Sequence, residues 1–329
     1  MKKAIDFKFL QLNERKLSEQ WMFWLSISIP LALSITLSIP LWLQTKINIS
    51  PEGYDNFLRI FKLPIGVLSL SIPLVAIVAH IHRTIQTAEQ IQTTRRKNAA
   101  DSFFSHHKFM IEALGKVPTN DIALSNSPVE YKIGDPYQLY DNFFTHSSYE
   151  NGINTSFLVK ATSSIEREIN KIEESLIKSR DNEGNKIEKI YSLREISDSI
   201  RTIERNLTIA VPKFKTNNLV MDRVDGVTVL HVMDYRDEPE LKERLRSLVY
   251  ITKKIFQIIN KPYLEPDTVC FYSNLSTPNY YFFNEVFDDV VLTKMSICHG
   301  ITVNGARKYD KHYQEYSSTL AKRKAANAV

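Results

Sequence analysis

SIPLVAIVAHIHRTIQTAEQI, residues 71–91, changes character halfway. Its first half is as apolar as a buried strand or a membrane helix. From His82 onward it carries arginine, threonine, glutamine and glutamate. The oily half belongs to a longer run, LPIGVLSLSIPLVAIVAHI, which has no formal charge when His80 is neutral. A second such run lies upstream, WMFWLSISIPLALSITLSIPLWL, from Trp21 to Leu43. As a helix it would reach about 34 Å at about 1.5 Å per residue, enough for a hydrocarbon core of roughly 30 Å. Trp21 and Trp24 mark one end and Trp42 the other, and indole rings favour headgroup depth. A signal peptide fits poorly, because the run is too long and a second apolar segment follows it. The sequence therefore predicts a membrane protein, mostly α. It divides into a cytoplasmic segment (1–20), a first transmembrane helix (21–43), a short periplasmic loop (44–62) and a second transmembrane helix (63–81). A helical stalk (82–115), an α+β cytoplasmic domain (116–320) and a basic flexible tail (321–329) follow.

The flanking charges set the expected orientation. Lys2, Lys3, Lys8, Arg15 and Lys16 precede the first span, whereas Lys46, Arg59 and Lys62 lie in the connection. Arg83, Arg95, Arg96 and Lys97 follow the second span. Basic residues favour the cytoplasmic side, so both termini are expected inside. The overall balance, +5, is too weak to imply nucleic acid unaided. Two cysteines, Cys270 and Cys298, provide no disulfide framework, which points to a reducing compartment.

The spans are not plain oil. Ser26, Pro30, Ser34 and Ser38 recur every four residues along the first, on one slowly drifting stripe. The second carries Gly66, Ser69 and Pro73. Small residues permit close approach of backbones, and hydroxyls bond across helices. Such a stripe can pack the hairpin, or line a pore when several copies assemble. Beyond the second span, Thr84 to Leu114 contains neither proline nor glycine, so the helix is expected to continue as a stalk until Gly115 and Pro118 end it. His80, His82, His106 and His107 do not make a metal site. The first two face different ways, and about 36 Å of helix separates them from the second two.

After the stalk, KVPTNDIALSNSPVEYKIGDPY is rich in loop formers, and a structured domain is expected from near Pro128. Three helical periodicities follow, Ile165–Ile169–Ile172–Leu176, Leu193–Ile196–Ile200–Ile203–Leu207 and Leu241–Leu245–Leu248–Ile251–Ile255–Ile258. RDNEGNK suits the tip of a hairpin between the first two. VTVLHVM (227–233) reads as a strand after the turn former Asp225-Gly226, while VCFYS and 280–292 read as β or mixed structure. The basic end, AKRKAANAV, reads as a frayed tail or partner contact through Lys322, Arg323 and Lys324.

No glycine-rich phosphate loop, GxSxG or HExxH occurs, so neither a catalytic site nor a cofactor or metal is expected. The best acidic candidate, Asp222, Asp225 and Asp234 before Glu240-Leu241-Lys242, loosely resembles metal-dependent nucleases. The stronger reading is a solvated acidic loop capping a helix, since Glu238 and Glu240 suit its positive end.

One stretch carries a family resemblance. LSIPLVAIVAHIHRTIQTAEQI (70–91), RKN (96–98) and FFSHHKFMIEAL (103–114) resemble bacterial anti-phage effectors with two N-terminal transmembrane helices. The resemblance is to the membrane effector encoded beside retron reverse transcriptases. Arg83, Thr84, Gln86, Thr87, Gln90, Lys97, Asn98, Asp101, His106 and Phe109 carry it, with His80 in the same juxtamembrane signature. It implies a toxin of abortive infection, held quiet by a reverse transcriptase and its DNA–RNA product (msDNA). On release it would permeabilise the inner membrane. Arg95, Arg96, Lys97, Asn98, His106 and the basic end are then candidate partner or nucleic-acid contacts. The expected partners are the bilayer, the reverse transcriptase with its msDNA, and further copies in a homo- or hetero-oligomer. The alternatives are a membrane-tethered binding or signalling protein and a membrane-anchored nuclease.

Overall fold

Prolines lie at two of the breaks between the first helices and inside the first of them. The computed structural model describes residues 12–125, 127–181, 185–211, 216–224, 227–294 and 305–327. The chain forms two compact units, 1–98 and 99–329. In the first, a 3-10 turn at Leu17–Glu19 leads into α1, Trp21–Gln44, which tolerates Pro30 and Pro40 within it. The connection is not a simple loop, because it contains α2, Pro51–Ile60, capped by Ser50 Oγ accepting from the Gly53 amide at 3.1 Å. Gly53 is required here: a Cβ would meet the Asn48 carbonyl oxygen at 2.2 Å.

The second apolar run is also broken, into α3, Lys62–Ser69, and α4, Ser71–Gly115. A proline lacks the amide proton and crowds the carbonyl four residues back. Pro64 thus acts at Ile60, where α2 stops, and Pro73 acts at Ser69, where α3 stops. Carbonyls near the second break find hydroxyls: Ser69 donates to Gly66 at 2.7 Å and Ser71 to Leu68 at 2.8 Å. Beyond Pro73 nothing in the sequence interrupts α4, and it runs to Gly115 as the stalk pattern predicts.

The second unit begins earlier than Pro128. The loop-rich stretch is a β-hairpin, β1 (Asn120–Leu124) on β2 (Ser127–Ile133), antiparallel with Leu124 opposite Ser127. Alternation explains it: Ile122, Leu124, Val129 and Tyr131 are buried. α5 (Pro136–Phe143), α6 (Leu158–Asp181) and α7 (Lys186–Asn206) follow. The isoleucine and leucine rows of α6 and α7 form the centre of the core. β3 (Ile209–Ala210) completes the first sheet in the order β1-β2-β3. β4 (Thr216–Val224) pairs antiparallel with β5 (Val227–Met233), so VTVLHVM is the strand its pattern predicts. The Asp225-Gly226 turn, residues 182–184 of the RDNEGNK tip, Lys2, Lys3, Lys8 and Cys298 lie outside the described residues.

α8, Glu238–Ile258, is capped by Asp237 and carries the third row inward. VCFYS is helical, not β: it lies in α9, Asp267–Asn274, where Val269, Tyr272 and Ser273 share the buried side. The spacing of three and four was there, but the aromatic and β-branched content outweighed it in a short run. α10 (Asn284–Phe287) and β6 (Val291–Lys294) are the mixed structure expected of 280–292, and β6 completes the second sheet, β5-β4-β6. The basic end does not fray through Asn327, since it continues α11, Gly305–Asn327. Lys324 Nζ meets Asp289 Oδ1 at 2.6 Å and Arg323 donates to the Val290 carbonyl, which ties that end down.

Candidate functional site

The apolar hairpin is packed in reverse. In α1 the buried residues are Ser26, Pro30, Ser34 and Ser38. Trp21, Ile29, Leu33, Ile35 and Trp42 are exposed, Trp21 by 63% and Leu33 by 52%, against 7% for Ser34. Close approach through small side chains explains the stripe. Ser34 Oγ donates across to the Pro64 carbonyl at 2.9 Å, Ser38 to Ser34 at 2.8 Å and Ser26 to Phe23 at 2.6 Å. Pro64, buried on α3, supplies the facing surface. Gly66, Ser69 and Pro73 do not join this seam, because all three are exposed and a Cβ on Gly66 would meet nothing within 4 Å.

Two helices, Trp21–Gln44 and the broken Lys62–Gly115, are long and apolar enough to cross a membrane. Their apolar windows are only 22% and 11% buried within the chain.

In the juxtamembrane signature, the structure separates neighbours. His80, Arg83, Thr84, Thr87 and Gln90 are exposed, and Thr84 and Thr87 donate back to His80 and Arg83. His82, absent from the predicted site, is buried: its Nε2 lies 2.6 Å from the Arg15 carbonyl and must donate to it. Gln86 donates to the Glu14 carbonyl at 3.3 Å. Gln20 closes the same strap, donating to Asn13 Oδ1 at 2.7 Å. The missed signal was periodic, since Val78, His82 and Gln86 stand four apart on one face. Further along α4, Arg95, Arg96, Lys97 and Asn98 are all exposed.

In the second unit His106 is half-buried, its Nδ1 3.2 Å from the Tyr140 hydroxyl and its ring edge-on to Phe144. Burial, with His107 beside it, lowers its pKa. Lys322 is exposed, whereas Arg323 and Lys324 make the internal contacts given above. Burial opposes charge on Asp289, but Lys186 and Lys324 hold its carboxyl below the usual range.

The acidic candidate disperses. Asp222 accepts from the Arg223 amide, and Glu240 accepts from the amides of Ser125 and Arg236 at 2.8 and 2.6 Å. Lys242 is buried, donating to the Leu275 carbonyl and standing 3.9 Å from the Tyr281 ring centre. Asp234 faces Arg244 at 3.4 Å, and Asp225 lies outside the described residues. Among the described residues no three His, Cys, Asp or Glu side chains group as a metal site.

Two buried polar networks replace it. Arg244, 2% exposed, makes a two-pronged pair with Glu204 at 2.8 Å for each bond, and Glu204 also accepts from Tyr131 at 2.6 Å. Ser197 Oγ sits 2.9 Å from His231 Nε2 and contacts the Tyr235 hydroxyl. It also donates to the Leu193 carbonyl at 2.8 Å, which uses its only proton. With that proton so placed, His231 Nε2 and the Tyr235 hydroxyl are the donors to it. Burial pushes the His231 pKa down to about 3, with Arg201 and Arg194 adding to the effect.

The chain matches no protein-family model, no curated protein and no solved structure.

Proposed function

We propose that this chain is a two-span inner-membrane effector of retron-type anti-phage defence, non-enzymatic and membrane-perturbing. The observation that carries the membrane part is the reversed hairpin, with Ser26, Pro30, Ser34, Ser38 and Pro64 inside and most of the leucine, isoleucine and tryptophan side chains outside. In water that arrangement leaves a large apolar surface wet; in lipid that surface is favoured, and the hydroxyls of Ser26, Ser34 and Ser38 stay within the hairpin. The resemblance along residues 63–114 supports the effector role: restraint by a reverse transcriptase and its msDNA, then permeabilisation once released. Both termini lie in the cytoplasm in this reading, following the five basic groups before the first span. Arg95, Arg96 and Lys97, exposed on α4, are the surface offered to the partner complex.

Expression without the partner is expected to collapse membrane potential and admit dye before any DNA breaks appear. External protease is expected to cut only between Gln44 and Lys62. Glutamine at 95, 96 and 97 is expected to weaken partner co-purification while leaving insertion intact. A second reading has its own observation: the hydroxyls of Ser26, Ser34 and Ser38 are satisfied inside one hairpin, so the stripe is accounted for by packing within a single copy. Carbonate-resistant protein with an undisturbed potential would make the hairpin an anchor for a binding or signalling domain. DNA breaks preceding dye entry would instead favour a nuclease.

A further inference from the structure

The face of α3 turned away from Pro64 holds an open groove of about 460 Å³, lined by Arg59, Lys62, Leu63, Gly66, Val67 and Leu70 among others. Leu63, Gly66, Val67 and Leu70 are spaced three, one and three along one helical face. Gly66 makes the hollow. Among the described residues, and apart from its chain neighbours and its own helix backbone, nothing lies within 4 Å of where its Cβ would be, so the hairpin itself does not need a glycine there. Glycine costs helix stability relative to alanine, so its presence is unexplained by the chain alone. At one end stand two cations. Arg59 spends one bond on the neutral Asn56 amide oxygen at 2.6 Å, and Lys62 is exposed.

A separate observation gives the depth. Tyr54, Phe57 and Leu58 of α2 are exposed, as is Trp42 at the end of α1. An amphipathic helix with such residues lies in the plane of a membrane interface, beside the aromatic belt. Arg59 and Lys62 then sit at headgroup level and Leu63 to Leu70 run into the acyl region.

We infer that this groove binds one anionic phospholipid, its phosphodiester on Arg59 and Lys62 and one acyl chain over Gly66. The inference rests on the membrane reading above. A second copy of the chain fits less well, because a two-fold contact centred here would bring two Arg59–Lys62 pairs together.

The test uses the full chain, released from vesicles of phosphatidylglycerol and phosphatidylethanolamine and weighed intact by native mass spectrometry. Wild type is expected to retain one phosphatidylglycerol. Arg59→Gln with Lys62→Gln is expected to lower that retention roughly tenfold, as loss of interfacial cations should. Gly66→Leu fills the hollow without meeting its own chain and is expected to lower retention comparably. Ile72→Leu, on another exposed position, is expected to leave it unchanged. Millimolar inorganic phosphate is expected not to displace the lipid. Equal retention by all variants overturns the site, as does displacement by phosphate alone, or a protein dimer that Gly66→Leu abolishes. Carbonate extraction of the same preparations separates the failures. Extractable protein overturns the membrane reading and the site with it, and resistant protein with unchanged retention overturns the site alone.

Discussion

The two units bury opposite things. In the second, Ile165, Leu176, Leu193 and Ile200 face inward and most of the charged residues between them are exposed or half-exposed, Glu168 and Lys189 excepted. In the first, α1 hides Ser26, Ser34 and Ser38 and shows Trp21, Leu33 and Ile35. Removal from water drives the first arrangement. If the hairpin sits in lipid, as proposed, the second has no such drive and is held by close packing and hydroxyl-to-carbonyl bonds. The same substitution should therefore cost different amounts in the two places.

The largest effect is expected at Arg244. Arg244→Ala leaves Glu204 buried and unpaired, which costs about 3–5 kcal/mol. Loss of near-ultraviolet circular dichroism at 37 °C would register it, while carbonate resistance of the hairpin should persist. Replacing Arg244 and Glu204 together with Met and Leu should cost far less.

Truncation compares the regions directly. Ile200→Ala opens the domain core and should destabilise it by about 2–5 kcal/mol in urea melts. Leu33→Ala removes an exposed side chain and should leave both the melt and membrane retention unchanged. Equal losses would mean that α1 has a protein partner on its leucine face.

Acid should weaken the domain through His231. Its folded pKa is lowered to about 3, so it stays neutral in the fold while the unfolded chain takes a proton below about 6.5. The contribution is complete above that value and is lost as pH falls from 6.5 toward 3. At pH 5 the loss is about 2 kcal/mol. Urea melts at pH 7.5 and 5.0 should differ by that amount in wild type and by much less in His231→Gln.

Smaller again is the seam. Ser34→Leu removes the bond to Pro64 and crowds the contact, costing about 1–3 kcal/mol of hairpin association. A disulfide-trapping or energy-transfer measurement of α1 against α3 would read it. Gly66→Leu should leave that pairing untouched, so the two small residues that look equivalent in sequence should behave differently.

Much of this was legible from local pattern. The apolar runs, the uninterrupted stalk and the rows of α6, α7 and α8 follow from residues three and four apart, which any helix brings together. The hairpin of β1 and β2 was hidden by Pro128 and by turn formers crowding two short strands. The fate of VCFYS was ambiguous because a five-residue run fits either period. Lys324 looked like tail because its partner, Asp289, stands on another element.

Residue order alone determined which long segments are helical, that the stalk runs uninterrupted to Gly115 and which stretches are apolar enough for a bilayer. It did not determine which prolines break a helix, since Pro30 and Pro40 lie within α1 while α3 stops four residues before Pro73. Covalent neighbours settle those matters, and their spacing is written in the chain. Tertiary structure decided which face of each helix is inside. It chose His82 over His80, turned Ser34 inward and Gly66 outward, and set Arg244 against Glu204 across 40 residues. A helix offers every face equally to its surroundings; only the element that packs against it selects one.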